Sequence, residues 1–242
     1  DDQGQYPFRP IVSGRDSLTA PTSKLLAHIL TPITIKTTYQ VQDSLHLKHM
    51  LSQYTIPDTH ILVSFDITNM YPSIPRIPAL AALRHLLQQD TTLTQHTNIT
   101  IDKIITLQES VLRLAHFQWL GVFYAQTDGC AMGDPTSTPV SNAFMIEFET
   151  DVLARYRLIH TPPHTPPTPP PISVILFWFC QADDTMTAIH RDHVTSFLAF
   201  LNAVHKKIKW TYETEVNGRI DMLDLIILRQ QDGTLEFDVY RK

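Results

Sequence analysis

Three aspartates stand at the ends of apolar runs: Asp66 closes "ILVSFD", and Asp183 and Asp184 follow "VILFWFCQA". Taken alone, two adjacent aspartates suit a hairpin turn, because the side chain hydrogen-bonds its own backbone there. Carboxylates drawn together in a cleft are a different matter, since they repel unless a cation compensates them. If the two runs are neighbouring strands of one sheet, their ends bring two or three carboxylates to one edge, which makes a magnesium site. Mg²⁺ takes hard oxygen ligands, usually one or two carboxylates completed by phosphate oxygens and water. Two such ions about 3.5–4 Å apart activate an attacking hydroxyl and stabilise a leaving pyrophosphate in an in-line displacement.

The elements that must position these acids are partly legible. "FRPIVSG" reads as a short strand ending at Gly14, and "APTSKLLAHILTPI" as a helix capped by Thr22 or Ser23 with Leu25, Leu26, Ile29 and Leu30 on its apolar face. "ILVSFDI" is a buried strand over 61–67. Pro72, Pro75 and Pro78 then forbid regular structure until "ALAALRHLLQQ" begins a helix, and another helix is predicted over 102–117. Residues 126–142 are loop-like, and "AFMIEFETDVLARY" is amphipathic and helical. The run Thr161–Pro171, "TPPHTPPTPPP", cannot pack a core and reads as an exposed polyproline-like insertion before the strand at 174–179. A helix over 192–205 leads to the half-buried strand "IKWTYETEV". "NG" at 217–218 and "DG" at 232–233 then turn the chain through "RIDMLDLIILR" into "TLEFDVYRK" as successive hairpins. Long helices among antiparallel strands predict an α+β fold, helices backing one face of a sheet.

Composition narrows the function classes. The chain has 242 residues, 43% of them hydrophobic, enough for a sizeable core. No apolar stretch approaches the roughly 20 residues that span a bilayer, and "DDQGQYPFRP" lacks the features of a signal peptide, so the expectation is an intracellular protein without membrane contact. Cys130 and Cys180 are expected reduced and buried, and the "NIT" sequon at 98–100 unused. A net charge of −5 argues against a nucleic-acid-coating protein but not against an enzyme whose acids hold metal. Among twelve histidines, His46 and His49 lie one helical turn apart without a second ligand pair, so a zinc site is not expected.

Four segments, "FRPIVSG", "FDITNMYPSIP", "QTDGCAMGDPTSTPVSNAFM" and "ADD", occur in the order of the fingers strand and motifs A, B and C, and so the sequence resembles reverse transcriptases. The motif B segment, "IKWTYETE" and "GRIDMLDLIILR" most resemble Penelope-like retroelement enzymes. The resemblance implies a right-hand polymerase palm with partial fingers: fingers over 1–60, palm over 61–242 with fingers-type helices at about 86–125, and no thumb. It implies an RNA-directed DNA polymerase, a nucleotidyltransferase of retrotransposon type that joins nucleotides to a primer 3′-hydroxyl. Its partners would be an RNA template, a DNA primer and dNTPs, its cofactors two Mg²⁺ ions, replaceable by Mn²⁺, and its location the nucleus. The oligomeric state is not legible.

Carried over position by position, the resemblance makes Asp66 and Asp183 the metal ligands, Asp184 the third acid, and the Ile67 carbonyl an extra ligand. Tyr71 falls at the steric-gate position, where a ring crowds a ribose 2′-hydroxyl; otherwise it is a core aromatic beside a proline turn. Met132, Gly133 and Pro135 match the motif B loop, with the missing Cβ of Gly133 allowing close approach to nucleotide or template. Arg9 matches the fingers arginine that holds the triphosphate, the alternative being a solvated surface residue. Lys206, Lys207 and Lys209 lie in the motif D region, where a lysine protonates pyrophosphate, and the sequence does not choose among them. Gln181 and Ala182 replace the start of the family's Tyr-x-Asp-Asp, so the tyrosine is missing. That departure keeps open a catalytically inactive, domesticated palm that only binds nucleic acid or protein. An RNA-templated RNA polymerase is the other rival, against which Tyr71 argues.

Overall fold

The computed structural model describes residues 12, 14, 17–35, 39–160 and 173–240, so Arg9 and the insertion at 161–171 lie outside the described residues. Two compact units emerge, one from Asp1–Ile35 and Tyr71–Phe144, the other from Lys36–Met70 and Met145–Lys242. In this division 36–60 fall in the same unit as the strand that carries Asp66. No helix of the described residues is long and apolar enough to cross a membrane.

The first unit is mainly helical. Its elements are α1 (Ala20–Thr34), α4 (Arg76–Gln89), α5 (Leu93–His96), α6 (Ile101–Arg113), the hairpin β2 (His116–Trp119) and β3 (Val122–Ala125), and the first turns of α7 (Ser137–His160). Helices α1, α4 and α6 pack on one another through Leu26, Ile29, Leu30, Leu83, Leu87, Ile104 and Leu112, all buried. Elements α2 (Ser44–Leu51), β1 (His60–Ile67) and the single turn α3 (Met70–Ser73) complete the chain order between α1 and α4.

Three expectations here are corrected. Helix α1 starts at Ala20 after Thr19, with Pro21 in its first turn, so neither Thr22 nor Ser23 caps it. Pro78 does not delay α4, which begins at Arg76: a first-turn proline lacks only an N–H that has no helical acceptor anyway. Helix α6 stops at Arg113, and the residues beyond form β2–β3 around Leu120 (φ 48°) and Gly121 (φ 80°). Both central residues have positive φ, as a type I′ turn requires, but leucine in the first place hides the turn from a search for Asn-Gly.

The second unit contains the antiparallel sheet β4-β5-β1-β6, built from β4 (Ile175–Gln181), β5 (Asp184–His190), β1 and β6 (Trp210–Thr214). A separate three-stranded sheet consists of β7 (Arg219–Met222), β8 (Leu225–Arg229) and β9 (Leu235–Val239). Alternation along β1 gives the larger sheet two dry faces. Leu62, Met186, Ala188, Phe177 and Phe179 pack with Leu47 and Leu51 of α2 and with Ile220, Met222, Leu225 and Ile227. On the other face, Phe65 meets Trp178 (5.8 Å between ring centroids) and Phe197 of α8 (Val194–Val204) at 5.7 Å, while Phe148 of α7 stacks on Trp210 at 6.3 Å. Burial of rings on this scale dominates core energetics.

The "NG" turn is present, with Asn217 and Gly218 at φ 52° and 75°. It closes only the bridge Val216↔Arg219, because β6 pairs with β1 while β7 joins the other sheet. "RIDMLDLIILR", read as one strand, breaks at Leu223 (φ 55°), and Met222↔Leu225 closes a two-residue turn that lacks glycine and asparagine. Both cysteines are free and buried.

Candidate active site

Within the second unit the acids are placed by backbone register. Strand β1 runs antiparallel to β5 with Asp66 opposite Asp184, and cross-strand partners share a face, so both carboxylates lie on the side of Ser64 and Met186. Ala182 and Asp183 form the two-residue turn between β4 and β5, closed by Gln181↔Asp184. Positive φ at Ala182 (55°) follows the type II′ pattern, where glycine is usual. The Ile67 N–H donates to the Asp183 carbonyl at 3.2 Å, which fixes the turn on the end of β1. Asp66 is exposed and Asp183 and Asp184 are half-buried.

A cavity of about 330 Å³ opens beside this ladder, lined by Asp66 and Asp184 together with Ser64, Thr211, Glu213 and Asp221. The register thus sets Asp66 against Asp184, whereas Asp183 sits opposite Ile67 in the turn. Among the described residues no group of three His, Cys, Asp or Glu side chains is arranged as a metal site. Glu213 and Asp221 did not stand out in the sequence, because acids alternating along strands read as a solvated face.

Strand β4 gains an edge partner. Cys180 donates its N–H to Tyr39 O (2.8 Å) and accepts at its carbonyl from Val41 N–H (2.9 Å), a parallel bridge with Gln40. The Gln181 side-chain amide donates to the Gln42 carbonyl at 3.1 Å. Gln181 thus anchors the 39–42 segment. Of the three lysines, Lys209 donates to the Asn202 carbonyl near the end of α8 at 3.1 Å, and Lys206 and Lys207 are exposed.

In the first unit, a loop over 126–136 is held by side chains. Arg76 donates from Nε to Gly129 O (2.9 Å), from Nη1 to Thr127 O (3.1 Å) and from Nη2 to Gln126 O (2.7 Å). Asp134 accepts at Oδ1 from the Thr136 N–H (2.8 Å) and hydroxyl (2.7 Å), and at Oδ2 from Ser23 (2.8 Å). Gln108 reaches the same Thr136 hydroxyl at 2.9 Å. Gly133 donates to Val12 O and accepts from Gly14 N–H, both at 3.0 Å, which joins the "RPIVSG" segment to the loop. Met132 is half-buried and Pro135 exposed.

Tyr71 is tied to the same loop. Its carbonyl accepts from the Cys130 N–H at 2.8 Å, and its hydroxyl shares a 3.2 Å hydrogen bond with Thr138. Gly129 has φ 70°, and a Cβ there would lie 2.3 Å from the Pro72 carbonyl oxygen, so this glycine is required. Burial pushes the Cys130 thiol up to about 11, which leaves it protonated and inert. Arg76, Asp134 and Gly129 were not singled out in the sequence, since a lone arginine gives no sign that three carbonyls face it.

No protein-family model matches the sequence, and no curated protein matches it. Solved structures do match. Telomerase from Candida albicans, in a complex with a fragment of telomeric RNA, aligns with TM-score 0.62 at 12% identity over 92% of this chain and 39% of its own. A Candida tropicalis telomerase truncated of its C-terminal domain aligns with TM-score 0.59 at 13% identity, over 93% and 46%. An RNA-dependent RNA polymerase described with vp4 and dsRNA aligns with TM-score 0.60 at 14% identity, over 93% and 21%. The chain therefore spans less than half the length of each. At these identities the likeness shows the fold alone, an α+β polymerase palm.

Proposed function

We propose that this chain is the polymerising module of an RNA-directed DNA polymerase, of Penelope-like retroelement type, acting on an RNA template, a DNA primer and dNTPs in the nucleus. The observation that carries the reading is the Asp66↔Asp184 register with the Ala182-Asp183 turn fixed on Ile67. Two carboxylates across adjacent strands beside an open cavity, with a third in the turn, are hard oxygen donors of the kind Mg²⁺ takes. Asp66, Asp183, Asp184 and the Ile67 carbonyl would hold it, and phosphate oxygens and water would complete a shell that the protein alone does not. When bound, the metal supplies charge stabilisation for the transferring phosphoryl group, and Mn²⁺ would substitute for it.

The protein's part is positioning. Rigid strands hold the acids, which is worth more than placing them on a mobile loop. By resemblance alone, Met132, Gly133 and Pro135 are assigned to the nucleotide, Tyr71 to the exclusion of a 2′-hydroxyl and Arg9 to the triphosphate. The Candida albicans telomerase was solved with RNA, which supports a nucleic-acid partner here.

Gln181 favours a second reading, an inactive palm, because its amide is engaged by Gln42 rather than presented to a primer. Primer extension on an RNA template with Mg²⁺ separates the two. Expected is metal-dependent extension with dNTPs; no extension on RNA or DNA by folded protein establishes the inactive palm, and extension only with ribonucleotides establishes an RNA polymerase.

A further inference from the structure

Behind the acidic hairpin lies a carboxyl group that the proposed chemistry does not use. Glu149 of α7 is 3% exposed. Its Oε2 accepts from the Cys180 thiol at 3.4 Å. Cys180 is the last residue of β4 before Gln181, on the face opposite Asp66 and Asp184, and its backbone already binds Tyr39 and Val41. The indole of Trp178 also acts on this carboxyl, and its N–H has no hydrogen bond of ordinary geometry. No ion pair with a described residue reaches Glu149.

We infer that Glu149 is a positioning residue for the acidic hairpin: its buried carboxyl, held on Cys180, sets where β4 ends and so where Asp183 and Asp184 stand. The inference rests on the polymerase reading for its catalytic consequence and on geometry for its structural one. Among the described residues its partners are a thiol and an indole, and no cation there compensates a charge. Burial pushes its titration up to about 7, although the Cys180 and Trp178 contacts oppose the rise. In the unfolded chain the group ionises near its ordinary value of 4.5. Between those limits the folded protein holds a proton that the unfolded chain has released. Stability from this group therefore declines as pH rises from about 4.5 to about 7 and levels off above. Above pH 7 an uncompensated charge would sit behind the hairpin and draw it out of register.

The test compares wild type with Glu149→Gln, Glu149→Ala and Cys180→Ala, using hydrogen exchange of amides 180–185 and steady-state primer extension from pH 6 to 8.5. Glu149→Gln should retain kcat within about twofold at pH 6.5 and lose the decline that wild type shows above pH 7. Glu149→Ala should lower kcat about tenfold with little change in the dNTP KM and speed exchange of 180–185, and Cys180→Ala should do the same more weakly. Should Glu149→Ala fail to fold, Glu149→Gln and Cys180→Ala still decide the matter. Unchanged exchange in Cys180→Ala, or a pH profile shared by wild type and Glu149→Gln, overturns the role. Absent extension in wild type refutes the polymerase reading, and exchange then decides the contact by itself.

Discussion

The acidic hairpin and the 126–136 loop are held in place by opposite means. At the hairpin, a backbone ladder sets the pairing: Asp66 meets Asp184 because β1 and β5 are in register from His60↔His190 onward. A slip of β1 by one residue would send Asp66 to the aromatic face and part it from Asp184. At the loop, side chains do most of the holding, with three bonds from Arg76 and three to Asp134 beside backbone bonds at Cys130 and Gly133. A ladder tolerates side-chain change and fixes chemistry to a point. A side-chain-held loop can shift, but single substitutions reach it directly.

The largest expected effect breaks the hairpin's chemistry without its scaffold. If the acids hold metal as proposed, Asp66→Asn and Asp184→Asn should each reduce extension by about a thousandfold or more, because a ligand charge would be lost from the transition state. Since the ladder is backbone-made and Asp66 is exposed, melting temperatures should stay within a few degrees of wild type. Extension rates beside circular dichroism melts check both halves, and a folded Asp66→Asn variant with normal rates would remove Asp66 from the metal site.

Gly129→Ala attacks the loop instead, and here stability should fall first. The added Cβ meets the Pro72 carbonyl oxygen at 2.3 Å in a left-handed backbone, costing about 1–2 kcal/mol for the conformation and about 1–3 kcal/mol for the overlap. For a chain of this size that is a drop on the order of 10 °C, measurable by calorimetry. A variant that melts with wild type would show that the loop adjusts freely.

These two regions also explain what the sequence could disclose. Asp66, Asp183 and Asp184 were legible because they end apolar runs, a pattern that survives without knowledge of pairing. Their arrangement was less so: the resemblance made Asp66 and Asp183 the metal ligands with Asp184 as the third acid, and the register, set by tertiary packing, shows Asp184 across from Asp66. Arg76 escaped notice because its partners are backbone carbonyls, which every sequence has. The β2–β3 hairpin and the Leu223 turn were missed because leucine occupies a left-handed position in each, where sterics favour glycine or asparagine and tertiary packing overrides that preference.

Tyr71 sharpens the comparison, since it follows β1 closely in sequence yet is tied to the loop. If its ring crowds a 2′-hydroxyl, Tyr71→Ala should raise ribonucleotide use relative to deoxynucleotide use by about 10- to 100-fold in single-nucleotide kinetics. Tyr71→Phe, which loses only the hydroxyl shared with Thr138, should leave the ratio near wild type. An unmoved ratio in Tyr71→Ala would make the ring a packing element of the loop.

The smallest expected effect is the reciprocal of Gly129→Ala. Ala182 holds φ 55° at the apex of the acidic hairpin, and it is exposed, so no packing depends on its methyl group. Glycine there would relieve about 1–2 kcal/mol of left-handed strain, offset by about 0.4–1 kcal/mol because glycine widens the unfolded ensemble. Ala182→Gly should therefore stabilise the protein by about 0.5 kcal/mol, a rise of one or two degrees. Extension should stay within about twofold, because Ile67 N–H, Gln181↔Asp184 and the β1–β5 ladder still fix the turn. A fall in rate of tenfold or more without loss of stability would mean that the strain itself aims Asp183. The hairpin would then share the loop's dependence on single residues, and the contrast between ladder-held and side-chain-held regions would not extend to the turn.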